Sequence, residues 1–307
     1  MLIVGTRAHL EDLDRSYTYA VDVAVTAVAV GTSYGGVGSL LPGAARPTWC
    51  LLDGERIVLL DEFDMTLVTR FAEPSAQSLA AGPTGTLLVG LDGAHLLTVS
   101  PDGTVGPVTA FDEVPGRNGW GNPAAALPEL RSIAISANDT WYVNVHVGGL
   151  WRSTDKGQSW DNVVPAESDV HEVVTGESGT VAVAAAIGFG WSTDGGDTWS
   201  WSTDGLHASY ARAVALDGET AYLTASSGPA ASDGRVFRCR LGESFEQCSA
   251  GLADPFPYNL DTGSLAAEGG NVALGTRHGQ VFRSPDSGAT WDLAGDGMRP
   301  VRVVRFA

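Results

Sequence analysis

Ser192-Thr-Asp-Gly-Gly-Asp-Thr-Trp199 decides the reading of this chain, because its pattern returns as Ser153-Thr-Asp-Lys-Gly-Gln-Ser-Trp160 and as Ser284-Pro-Asp-Ser-Gly-Ala-Thr-Trp291. The three aspartates fall at positions 155, 194 and 286, so they are 39 and 92 residues apart. That is one period and about two periods of a four-stranded propeller blade. One blade between the second and third copies must lack the octapeptide. There Arg235-Val-Phe-Arg-Cys-Arg240 runs on through Leu-Gly-Glu-Ser to Phe245 without it. The pattern has the chemistry of a turn: a carboxylate to cap turn N–H groups, a glycine for positive φ, and an indole to pack between strands.

Around the octapeptides the chain reads as short alternating or apolar runs bounded by Gly, Asp, Asn and Pro. One blade runs from Arg131-Ser-Ile-Ala-Ile135 through Thr140 to Val145 and Gly149 to Arg152, ending at Val164. The next begins at Val170, and two more start near Ala211 and Gly263. Upstream the octapeptide is missing but the rhythm persists: the hairpin read in residues 49–60 parallels the one in residues 87–97. Leu2-Ile-Val-Gly-Thr-Arg-Ala-His9 echoes Ala273-Leu-Gly-Thr-Arg-His278, the second strand of a blade, and the C-terminal Val301-Arg-Val-Val-Arg-Phe306 supplies an inner strand for it. Residues 1–307 are therefore expected to form one all-β domain, a β-propeller of seven four-stranded blades closed by both termini. The strands of residues 15–46 find no register, which leaves six or eight blades open.

The S-x-D-x-G-x-x-W repeat resembles the Asp box (BNR repeat) of sialidase-like, sortilin-like and photosystem-assembly-factor propellers. The resemblance implies the propeller fold and makes Ser153, Asp155, Gly157, Trp160, Ser192, Asp194, Gly196, Trp199, Ser284, Asp286, Gly288 and Trp291 structural residues. It is silent on function, since the box resembles a folding staple in all of these families. Sialidases also carry an F/Y-R-I-P signature, for which Ala45-Arg-Pro-Thr and Met298-Arg-Pro-Val are poor substitutes.

Composition narrows the function classes. With 18 basic against 36 acidic residues and a formal charge of −18, nucleic acid and anionic membranes are expected to be repelled. No apolar run approaches the roughly 18 residues of a spanning helix. The N-terminus has no basic n-region and turns acidic from Glu11, so a cytoplasmic address is expected. Three cysteines without a CxxC pair argue against a zinc knuckle or a disulfide framework. Cys239 and Cys248 are expected to face each other across one hairpin as thiols, and Cys50 to be a small core residue. There is no G-x-S-x-G elbow, P-loop or Rossmann fingerprint. The glycine-rich residues 33–39 and the stretch 225–234 read as flexible loops able to act as lids.

Blade phase then localises the site. The octapeptides join third and fourth strands on one face, so loops between second and third strands, and those leading to each inner strand, open on the other, over the channel. Arg131, His171, Glu172, Tyr210, Arg212, Asn259 and Asp261 flank inner-strand starts; Asn144 and His146 flank a second-to-third loop; His207 and Trp120 lie in loops leading into the ring. The candidate catalytic set is His171, Glu172, Tyr210, Arg212, Arg131 and Asp261, and the candidate ligand-binding set is Arg131, Asn144, His146, His207 and Asn259. His146, His171 and His207 come from three successive blades and form a candidate all-nitrogen site for a divalent metal. Arg131, Arg212 and Arg277 suit a carboxylate, whereas His9, His95 and His278 read as surface turn residues. Two functions follow: a propeller binding a small molecule or a protein over its channel, and, as the alternative, a hydrolase or lyase, glycosidase-like or metal-assisted, at the same mouth.

Overall fold

Strand pairing in the structure, a computed structural model that describes residues 1–6, 10–14, 17–19, 24–31, 46–61, 64–71, 75–121 and 125–307, gives seven four-stranded antiparallel sheets. Blade 1 pairs Val301–Phe306 with Leu2–Thr6, followed by Leu10–Asp12 and Tyr17–Tyr19. Blades 2 to 7 occupy residues 25–70, 76–107, 130–164, 170–202, 210–248 and 265–295. The first strands of successive blades lie side by side around the axis, and Val301–Phe306 bridges the first strands of blades 7 and 2. The molecule is thus an all-β, seven-bladed propeller, as the repeat spacing predicts. Among the described residues no helix is long and apolar enough to cross a membrane.

Ring closure follows from alternation along Leu2–Thr6. In a strand, successive side chains face opposite ways. Leu2 and Val4 pack with Ala266, Ala273 and Val281 of blade 7, while Ile3 packs with Val25, Val28 and Cys50 of blade 2. The Gly-Thr echo between the first blade and the last also has a steric cause. A Cβ on Gly5 would come within 2.6 Å of Val303 Cγ1, and one on Gly275 within 2.4 Å of Val301 Cγ1; only glycine lets the closing strand approach so closely.

The three octapeptides fold identically. The Ser153, Ser192 and Ser284 hydroxyls accept the N–H of Gly157, Gly196 and Gly288 at 2.7–2.8 Å and donate to Asp155, Asp194 and Asp286 at 2.7–2.8 Å. Each aspartate accepts both the N–H and the hydroxyl of the seventh residue, Ser159, Thr198 or Thr290. The indole N–H of Trp160, Trp199 and Trp291 donates to the box glycine carbonyl at 3.2 Å. These hydrogen bonds hold the carboxyls of Asp155, Asp194 and Asp286 down at about 2. The hydroxyl at position seven is part of the network that the pattern S-x-D-x-G-x-x-W leaves blank.

The cysteine pairing differs from expectation. Val236 pairs with Cys248 in the register of blade 6, which puts Cys239 three residues further along and on the other side of the sheet. Cys248 packs toward blade 7 and Cys239 toward blade 5, so no bridge joins them. Burial raises all three thiols, Cys239 to about 12 and Cys248 to about 11.

Candidate functional site

The inner strands enclose a channel with a cavity of about 380 Å³ on the face opposite the octapeptides. Its lining includes Arg131, Glu172, Asn259, Asp261, Arg277 and Arg305. A second cavity of about 300 Å³ reaches toward the octapeptide face and shares Glu172 and Arg305 with the first.

Strand phase explains why these side chains meet. Arg131 and His171 occupy the second position of the inner strands Leu130–Ile135 and Val170–Thr175, and Arg212 the third of Tyr210–Asp217. Arg131 Nη1 lies 3.4 Å from His146 Nε2, and its Nε donates to Thr262 Oγ1 at 3.3 Å. Thr262, which the sequence reading missed, sits between blades: its hydroxyl lies 3.2 Å from the carbonyl oxygens of both His171 and Arg212. The His171 and Tyr210 rings are 4.7 Å apart, and Arg212 lies over Tyr210 at 5.4 Å. Arg212 is paired with Asp261 and donates to Pro229 O at 3.1 Å. Asn144 donates to Val170 O and Asn259 to the carbonyls of Gly228 and Pro229. Of the stretch 225–234, read as flexible, residues 225 and 226 end a strand and the rest is tied to the mouth by Arg212 and Asn259, and by Asp233 accepting the Ser227 N–H.

Glu172 is 3 % exposed. One carboxylate oxygen accepts the Val214 N–H and the other the Gly263 N–H, both at 3.1 Å, and Arg305 stands 3.8 Å away. Burial pushes its pKa up, against the pull of Arg305 and the two N–H groups. At His171 burial pushes the pKa down, and the nearby Asp169 carboxylate opposes it without prevailing. Arg131 is also lowered by burial, with Arg212 adding to the effect.

Asp169 is the second residue that sequence reading missed. It holds a left-handed conformation (φ 48°) in the loop before blade 5, a role open to aspartate. Its carboxylate lies 3.4 Å from His171 Nε2 and 3.9 Å from His146 Nε2, and the approach of His171 holds its pKa low. His146, Asp169 and His171 form a group whose ligand atoms all lie within 4.8 Å of one another. His207 stands outside this group: it stacks on Phe237 with centroids 5.6 Å apart and faces Asp233 at 3.5 Å. The third partner of the two histidines is an aspartate. Trp120 packs into an aromatic cluster with Phe111 and Trp151. His95 contacts Asp112 and His278 lies against Tyr258. His9 and residues 33–39 lie outside the described residues.

No family model matches the chain, and no curated protein matches it. Among solved structures it is similar to an ancestral GH74 enzyme, with a TM-score of 0.61 and 16% identity over 100% of this chain and 40% of that one. It is similar to the RRP9 WD40 repeats, with a TM-score of 0.65 and 11% identity over 100% and 89% of the two chains. It is also similar to YCF48 bound to D1 peptide, with a TM-score of 0.57 and 13% identity over 95% and 84%. The chain spans well under half the length of the GH74 enzyme. At these identities the likeness is one of fold.

Proposed function

We propose that this chain is an Asp-box propeller that binds a small organic anion at the channel mouth opposite the boxes. One observation carries the reading: in a chain of net charge −18, the mouth cavity is lined by Arg131, Arg277, Arg302 and Arg305 against only Glu172 and Asp261. A low-dielectric well with an excess of one sign of charge focuses the field on ligands of the opposite sign. Both lining carboxylates are also engaged, Glu172 by two backbone N–H groups and Asp261 by Arg212. That favours binding over hydrolysis by a carboxylate pair. YCF48, a fold neighbour, is described bound to a peptide, which agrees with a recognition role for this architecture.

Calorimetric titration with citrate and with inorganic phosphate tests the reading. At least one should bind, with affinity falling as salt rises and dropping tenfold or more in Arg131→Gln and Arg277→Gln. Failure of both probes, or binding indifferent to both substitutions, contradicts it. Release of a sugar from a glycoside by the wild type would favour the hydrolase instead.

A further inference from the structure

His171 is fully buried, and its Nδ1 lies 2.6 Å from the carbonyl oxygen of Ala211. A carbonyl only accepts, so Nδ1 carries the proton and Nε2 of the neutral ring is a bare lone pair. That Nε2 makes no hydrogen bond, yet it stands 3.4 Å from a carboxylate oxygen of Asp169. Two electron pairs facing each other in a buried site repel unless positive charge lies between them. His146 approaches the same carboxylate: its Nδ1 stands 3.3 Å from Glu129 Oε1 without a hydrogen bond, and its Nε2, faced by Arg131 Nη1 at 3.4 Å, is 3.9 Å from the other Asp169 oxygen, which also lacks a hydrogen-bond partner. Both imidazoles therefore turn Nε2 toward the same carboxylate, His171 with Nδ1 bonded to the Ala211 carbonyl and His146 with Nδ1 beside Glu129. Such outer acceptors are what orient ligating histidines and raise their basicity.

We infer that His146 Nε2, His171 Nε2 and the Asp169 carboxylate form a site for one divalent first-row transition cation of the zinc type. Two imidazoles and one carboxylate suit Zn²⁺ or Co²⁺ better than Mg²⁺ or Ca²⁺, which take oxygen ligands. Tetrahedral ligands on bonds of ~2.1 Å stand about 3.4 Å apart. The group, spread over at most 4.8 Å, therefore closes by an ångström or so. Asp169, whose side chain is 30 % exposed, and His146, 12 % exposed, supply that movement while His171 stays fixed. Three protein ligands leave a fourth position open toward the mouth.

Arg131 competes for this position. Its Nη1 lies 3.4 Å from His146 Nε2, so the guanidinium supplies positive charge where the cation would sit. Coordination displaces Nη1, and the arginine keeps its Nε bond to Thr262. Glu129 and Asp169 then balance the dication.

The test is titration of the chelator-treated full chain with Co²⁺, followed by visible absorption and displaced by Zn²⁺. One Co²⁺ per chain is expected, at least tenfold weaker in Asp169→Asn and in His146→Gln, unchanged in His207→Gln, and tighter in Arg131→Gln because the competing cation is gone. Circular dichroism establishes that each variant is folded. Absence of a stoichiometric Co²⁺ site in the wild type overturns the inference. So does equal binding by folded Asp169→Asn and His146→Gln, or loss of binding in Arg131→Gln. The site stands apart from anion binding: citrate affinity in chelator-treated protein reads one, and Co²⁺ absorption the other.

Discussion

The two faces of the disc are built on opposite principles. On the octapeptide face, the serine hydroxyl and aspartate carboxylate of each box find their partners two to four residues away, repeated in three blades. On the mouth face, bonds join residues far apart in sequence, such as Glu172 to Gly263, 91 residues apart. Among the described residues, ten buried side-chain polar atoms lack a hydrogen-bond partner. Seven belong to residues at or beside the mouth, Asn144, His146, Asp169, His171, Arg212, Asn259 and Ser264. Unsatisfied buried polar groups cost stability unless a partner completes them. The contrast separates a face that staples the blades from the face on which we propose that a ligand binds.

The largest effect is expected where the ring closes. Deleting residues 301–307 removes the inner strand of blade 1, which pairs with Leu2–Thr6 and packs against blades 7 and 2. The truncated chain should show no cooperative thermal transition by circular dichroism. Melting like the intact protein would place closure elsewhere.

Next comes Glu172, which lies on the mouth face but ties three blades together. Glu172→Ala leaves the Val214 and Gly263 N–H groups buried without acceptors, at a cost of about 2–5 kcal/mol in urea unfolding. A change below ~1 kcal/mol would mean that the carboxylate serves a ligand rather than the ring.

The smallest effect separates the faces by pH. The box aspartates have folded pKa values of about 2, below the usual ~3.9 of the unfolded chain. Depressed values mean that their stabilisation is full above the unfolded value and is lost as pH falls through about 2. The melting temperature should therefore decline between about pH 4 and 2, and less steeply in Asp194→Asn. Equal slopes would show that the boxes contribute nothing through ionisation.

What the sequence made legible follows the same division. The boxes are short-range, so a local pattern revealed them, and blade spacing then revealed the ring. Phase alone placed Arg131, His171, Glu172, Tyr210, Arg212, Asn259 and Asp261 at inner-strand starts on one face. Neighbour relations across blades were not legible, because no period encodes which loop residue meets which. Asp169 and Thr262 belong to no local motif and so escaped notice, and His207, from the blade after those of His146 and His171, packs on Phe237 instead. Cys239 and Cys248 share a hairpin, yet the register sends them to opposite sides. Glu172 resembled a catalytic acid because its backbone partners lie 42 and 91 residues away.

The division of the two faces is tested most directly by measuring unfolding free energy and citrate affinity in two variants side by side. Ser192→Ala removes a buried hydroxyl that accepts the Gly196 N–H and holds Asp194. It should cost about 1–2 kcal/mol and leave citrate affinity unchanged. Arg131→Gln should weaken citrate tenfold or more and change stability by less than ~1 kcal/mol. If Ser192→Ala abolished binding in a folded protein, or Arg131→Gln left it intact, the assignment of the two faces would be wrong.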